Sequence, residues 1–133
     1  MERKIAEELL SRAKEARKNA YSPYSGFSVG AALLSAEGKV YLGCNIENSS
    51  FTPTCCAERV AFFRAVSEGV RDFTAIAVVG DKSPCMPCGA CRQVMSEFCS
   101  ENFEIIYEDE CGEARWLTLS ELLPYSFKLE EKK

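Results

Sequence analysis

Eight cysteines and no histidine bound the chemistry open to this chain of 133 residues. Without an imidazole there is no Ser-His-Asp or Cys-His catalysis and no HExxH metal site, so a metal ion has to sit on Cys, Asp or Glu. Pro87-Cys88-Gly89-Ala90-Cys91 sets two thiols three residues apart at a loop-to-helix junction, a spacing that lets both sulfurs reach one tetrahedral ion at about 2.3 Å. Cys56-Ala57-Glu58 begins a second helix behind another Pro-marked loop. It adds a third thiol, with a carboxylate two residues on. Three thiolates and an open fourth position suit a catalytic zinc better than a closed structural one.

Charge limits such a site. Three thiolates around a dication leave a net charge of about −1, which weakens the metal as a Lewis acid. Two helix N-termini pointing at it would each return roughly +0.5 of a charge. Arg59, three residues after Cys56 on the same helix face, is placed to donate hydrogen bonds to a sulfur. Glu58 is then free of the metal, to accept a proton from the activated water and deliver protons to a substrate. Cys55, directly before Cys56, and Cys85, in the run Cys85-x-x-Cys88-x-x-Cys91, compete for the same three places. Cys56, Cys88 and Cys91 are preferred because they alone keep register with Glu58 and with the helix start. Cys44, Cys99 and Cys111 read as small buried residues without a role.

The elements that must position these groups follow from periodicity. Residues 2–19 space Ile5, Leu9, Leu10, Ala13 and Ala16 as one face of an amphipathic helix. FSVGAALLS and KVYLGCNIE are β-prone runs joined by Ala36-Glu37-Gly38, which reads as a hairpin. CCAERVAFFRAVSEG is helical and stops at Gly69. FTAIAVVG is apolar throughout, as a central strand is, and a third helix opens at Gly89. FEIIYE and RWLTL lie too close together for a crossover helix and should pair antiparallel, with a short helix at SELLP. The order predicts an α/β fold in one domain over 1–133, a five-stranded mixed sheet with packed helices. The Glu-Glu-Lys-Lys end is expected to fray.

A formal net charge of −4 without basic runs argues against a partner made of nucleic-acid backbone, whose binding comes mostly from Lys and Arg neutralising phosphates. No apolar stretch is long enough for a membrane span, and the N-terminus, charged throughout, is not a signal peptide. Unsecreted thiols point to the reducing cytoplasm, where cysteines serve as ligands, reactive groups or core residues rather than disulfides.

Cys56-Ala57-Glu58 and the later Pro87-Cys88-Gly89-Ala90-Cys91 fit the general pattern of zinc deaminases, with Cys in the first ligand place. At these residues the chain resembles the short cytidine deaminases, in the blocks PYSGFSVGAAL, GCNIENSSF, CAER, AVSEG, PCGACRQV and ELLP-x-x-F, which span nearly its whole length. The resemblance implies a three-layer α/β/α fold with helices on both sheet faces. It implies hydrolytic deamination of cytidine and 2′-deoxycytidine to the uridine product and ammonia, in pyrimidine salvage. It further implies one Zn²⁺ per chain on Cys56, Cys88 and Cys91, and attack of zinc-bound hydroxide on C4 of the pyrimidine with Glu58 as proton shuttle. Asn45 and Glu47 would hold the ribose hydroxyls, and Phe27 would line the base pocket. Phe127 would reach from one subunit of a homotetramer into a neighbour's site and stack on the base.

Three other readings use the same residues. A structural zinc ribbon would need a fourth thiol, formally Cys55 or Cys85, in place of water. A deaminase of another cytosine nucleoside would keep the zinc chemistry and differ only in its pocket. Base deamination within a polynucleotide would require a basic groove that the sequence lacks.

Overall fold

The computed structural model describes residues 1–131. Lys132 and Lys133, the end of the expected single domain and of the tail expected to fray, lie outside the described residues. In chain order the elements are α1 (Arg3–Arg17), β1 (Gly30–Ser35), β2 (Val40–Cys44), α2 (Ala57–Ser67), β3 (Phe73–Val79), α3 (Gly89–Phe98), β4 (Glu104–Glu108), β5 (Ala114–Thr118) and α4 (Leu119–Leu122). The sheet order is β2-β1-β3-β4-β5. β1 pairs antiparallel with both β2 and β3, β3 runs parallel to β4, and β4 pairs antiparallel with β5. The sheet is therefore mixed, and its all-apolar strand β3 lies at the centre.

Alternation along β3 divides the core in two, because successive side chains leave a strand on opposite faces. Ile76 and Val78 join Ala31, Leu33 and Ile105 under α2 and α3, where Phe62 and Met95 are fully buried. Phe62 is the hub of that layer, with ring centroids 5.1 Å from Phe73 and 6.0 Å from Phe103. Ala75, Ala77 and Val79 join Ala32, Ile106 and Ala114 under α1, which buries Ala6, Leu9, Leu10 and Ala13. The result is three layers with helices on both faces.

The hairpin turns through Gly38, whose φ of +94° suits glycine, and Gly38 N–H donates to the Ser35 carbonyl at 3.0 Å. Its strands are shorter than the apolar runs that announce them. Residues 27–29 and 45–47 fall outside the ladders because their backbone groups bond elsewhere. Asn45 N–H still reaches the Val29 carbonyl, but Val29 N–H goes to Asn45 Oδ1, the Asn45 carbonyl accepts from Tyr21 N–H, and Ile46 exchanges bonds with Cys55 at 2.9 Å. Cys111, expected to be buried, is exposed. It sits in the β4–β5 turn, where its N–H donates to Asp109 Oδ1 at 2.9 Å and its side chain has no core to enter.

Glycine sets how closely α2 lies on the sheet. A Cβ built at Gly43 in β2 would overlap the Ala57 carbonyl and come within 2.6 Å of Ala61 N, so the first turn of α2 rests on bare strand backbone. Gly43→Ala should lower the unfolding free energy by about 1–3 kcal/mol in urea denaturation, the range for overpacking a close contact. Gly89→Ala, where an added Cβ meets nothing within 4 Å, should leave stability within about 0.5 kcal/mol.

Candidate active site

Cys56 is the N-cap of α2 and Cys88 the N-cap of α3. Each carbonyl accepts the first intrahelical bond, from Val60 and Arg92 respectively, at 3.0 Å. The two helix starts meet, with Cys56 Sγ 3.8 Å from Cys88 Sγ and Cys88 Sγ 3.4 Å from Cys91 Sγ. All three sulfurs lie within 4.8 Å of one another. Cys91 is buried one turn into α3 and Cys88 is exposed at its mouth, so the group is reachable from one side. Neither Cys55 nor Cys85 belongs to it. Cys85 packs at the end of β3, where its sulfur would lie 2.8 Å from a Cβ on Gly80.

These thiols are unequal. Cys56 accepts hydrogen bonds from Cys91, Arg59 and Cys88, which together outweigh burial and bring its thiol down to about 5. The bond that Cys91 gives to Cys56, together with burial, pushes the Cys91 thiol upward. The Arg59 guanidinium donates to Cys56 Sγ at 3.3 Å, and that bond holds Arg59 more firmly protonated. Arg59 Nε is buried with no hydrogen-bond partner among the described residues. Three soft donors fit zinc. A half-buried guanidinium with a spare donor at Nε supplies positive charge of the kind an all-thiolate set needs, as do the two helix N-termini.

Glu58, in the first turn of α2, is only 4% exposed. Burial pushes its carboxyl up to about 7, and the neighbouring Cys56 adds to the rise. A carboxyl poised there can take and return a proton near neutral pH.

The residues flanking β1 and β2 form a second group. Asn45 Oδ1 accepts from Val29 N–H at 2.9 Å and its Nδ2 donates to the Phe27 carbonyl at 2.8 Å. Glu47 Oε1 accepts from Tyr24 N–H at 2.9 Å and Ser25 N–H at 3.1 Å, while Oε2 accepts from the Ser25 hydroxyl. The Ser25 hydroxyl and these amides hold the Glu47 carboxyl below its usual range. Glu47 lines a cleft of about 440 Å³ with Tyr24, Ser25, Asn48, Phe51 and Thr54. The Phe27 ring lies over Gly80, whose missing Cβ would come within 2.9 Å of it. Phe127 stands apart. Its carbonyl accepts from Gln93 Nε2 at 2.9 Å while its side chain is 66% exposed. Sequence reasoning missed Ser25 and Asp81, whose side chains bind this turn and lead-in; nothing in a serine or a post-strand aspartate sets them apart from ordinary loop residues.

Residues 3–107 match the family described as the cytidine and deoxycytidylate deaminase zinc-binding region. The chain belongs to that family and is an enzyme, and its three-thiol cluster could hold a metal ion. Among its relatives, the cytidine deaminase of Sporosarcina psychrophila is 52% identical over 126 residues, covering 94% of this chain and 93% of that one. The cytidine deaminase of Halalkalibacterium halodurans is 52% identical over 124 residues, 92% of this chain and 94% of that protein. The crystal structure of cytidine deaminase from Burkholderia pseudomallei superposes with a TM-score of 0.86 at 48% identity, covering 91% of this chain and 98% of that chain.

The cluster predicts stoichiometric metal. The purified protein should carry one zinc per chain by elemental analysis, Cys88→Ser should lose it, and Cys85→Ser should retain it. Loss of zinc from Cys85→Ser alone would move the ligand set.

Proposed function

We propose that this enzyme hydrolyses cytidine and 2′-deoxycytidine to uridine and 2′-deoxyuridine with release of ammonia, as a pyrimidine-salvage enzyme of the cytoplasm. The observation that carries the reading is the buried Glu58 carboxyl, two residues along α2 from a three-thiol cluster. Cys56, Cys88 and Cys91 would hold the zinc, which when bound supplies Lewis acidity toward water.

Glu58 takes a proton as water adds to C4 of the pyrimidine and gives one to N3. It then carries the remaining water proton from the C4 hydroxyl to the exocyclic amine, the C4–N bond breaks as the C4 carbonyl forms, and ammonia leaves. Arg59 and the starts of α2 and α3 hold down the negative charge of the sulfurs around this chemistry. The Phe27 ring over Gly80 offers an apolar wall for the base.

Lone-pair accounting supports a sugar at Asn45 and Glu47. A carboxylate accepts about four hydrogen bonds. Glu47 has accepted three, leaving capacity on Oε2. Asn45 has spent one donor and one acceptor on backbone and keeps one of each. A free nucleoside is favoured over a nucleotide or polynucleotide, because the cleft around Glu47 has no Lys or Arg among its lining residues and carries a carboxylate. A homotetramer with shared sites is supported by the exposed aromatics Tyr24, Phe51, Tyr125 and Phe127, surface that a second copy would cover. Phe127, whose carbonyl accepts from Gln93 and which is largely exposed, would be the residue that enters a neighbour.

Ammonia release should be seen with cytidine and 2′-deoxycytidine and be absent with cytosine-containing oligonucleotides. Glu58→Gln should keep its zinc and lose turnover by about 10²–10⁴-fold, the usual worth of a general acid–base. Zinc-loaded wild type inert toward both nucleosides, or Glu58→Gln with near-normal turnover, would defeat the reading. If the sites are shared, activity should fall together with the tetramer in a dilution series followed by light scattering, and Phe127→Ala should raise KM while the tetramer persists.

A further inference from the structure

The segment carrying Phe27 is held in an unusual way. Residues 27–29 lie between the Gly26 turn and β1, and three of their backbone amides donate to side chains. Phe27 N–H donates to Ser25 Oγ at 3.0 Å, Ser28 N–H to Asp81 Oδ2 at 2.8 Å and Val29 N–H to Asn45 Oδ1 at 2.9 Å. The Phe27 carbonyl accepts from Asn45 Nδ2, and the Ser28 hydroxyl pairs with that of Ser22 at 2.9 Å. Backbone pairing with the β2 side reaches only as far as the Val29 carbonyl, which accepts from Asn45 N–H, so the position of the Phe27 ring depends on the groups that grip its neighbours.

Asp81 is the grip from the far side. It follows Gly80, the residue on which the Phe27 ring rests, so one short stretch after β3 both supports the ring and holds the backbone beside it. Arg17, the last residue of α1, fixes that stretch in turn. Its guanidinium donates to the Gly80 carbonyl at 2.7 Å and lies 3.4 Å from Asp81 Oδ1. The Arg17–Asp81 pair is partly exposed, its side chains 38% and 35% accessible, and an ion pair there is weak by itself. The charge-assisted bond from Ser28 N–H to the carboxylate is the stronger link, and it bears directly on the segment next to Phe27.

We propose that Asp81, seated by Arg17, is a positioning residue for substrate binding: through Ser28 it holds the Phe27 ring against Gly80 as a fixed wall of the base pocket. This rests on the proposed role of Phe27 in the nucleoside site. The carboxylate touches neither substrate nor zinc, so its loss affects how well the base is received rather than the proton transfers at Glu58.

The test is steady-state kinetics on zinc-loaded Asp81→Ala, Asp81→Asn, Phe27→Ala and the Asp81→Ala/Phe27→Ala double variant, with cytidine as substrate. Asp81→Ala should raise KM about tenfold, the scale of one lost charge-assisted hydrogen bond, with kcat and zinc content within about threefold of wild type. Asp81→Asn keeps an acceptor for Ser28 N–H and should restore KM to within about threefold of wild type. In the double variant the Asp81 effect should disappear, since a residue acting through Phe27 has nothing left to position. A general structural role would instead lower the folded fraction and leave KM unchanged, and that result overturns the proposal. So does full additivity of the two substitutions. An unchanged KM in Phe27→Ala would overturn the pocket reading as well, whereas a raised KM there with a normal one in Asp81→Ala removes only the positioning role.

Discussion

Three sulfurs from two separate helices have to meet within 4.8 Å of one another, and the architecture is organised around that convergence. Cys88 and Cys91 need only one helical turn to come together. Cys56 lies 32 residues away and reaches them only because α2 and α3 begin at the same end of the sheet. β3, between the two helices in sequence, supplies the central strand beneath both. Gly43 lets α2 come down onto β2 backbone, and the Ile46–Cys55 bridge fixes the loop that leads into Cys56. A shift of even part of a turn in α2 would carry Cys56 and Glu58 away together.

Bringing negative sulfurs together has an electrostatic cost that the same geometry offsets. Two N-termini contribute about half a unit of positive charge each, enough to balance the net charge of about −1 that three thiolates leave on a dication. Arg59 adds a full charge within 3.3 Å of Cys56. Glu58 is an acidic group kept in this neighbourhood, and burial rather than pairing governs it. Arg59 donates to Cys56 Sγ and forms no ion pair with Glu58 among the described residues, so the buried carboxyl is not held ionised by a salt bridge and remains free to exchange protons.

What the sequence made legible followed from local spacing. The C-x-x-C at Cys88 and Cys91, the Cys56-Ala57-Glu58 junction, the apolar run of β3 and the hairpin through Gly38 are each written within a few residues, and the blocks around them match a family over most of the chain. The choice of Cys91 over Cys85 rested on register, and the Cys91 sulfur lies in one group with those of Cys56 and Cys88. Less legible were the strand limits at Gly30 and Cys44, because apolar residues continue past both while the backbone bonds change partners. Cys111 was misplaced since residue type says nothing of a turn that leaves its side chain outside.

The hydrogen bonds around Phe27 were invisible to pattern reading for a different reason: they join residues distant in sequence, 25–29, 45 and 81, through side chains that are unremarkable one by one. A ladder would have fixed the segment as well, but it would have tied these residues into the strand pleat, where alternate side chains face opposite ways. Suspension by side chains frees the backbone to present Phe27 against Gly80 while Asn45 and Glu47 stay next to it with hydrogen-bonding capacity to spare. A binding wall placed in this manner is preorganised without being part of the core, held by side chains of Asp81 and Asn45 rather than by the helices that carry the sulfur cluster.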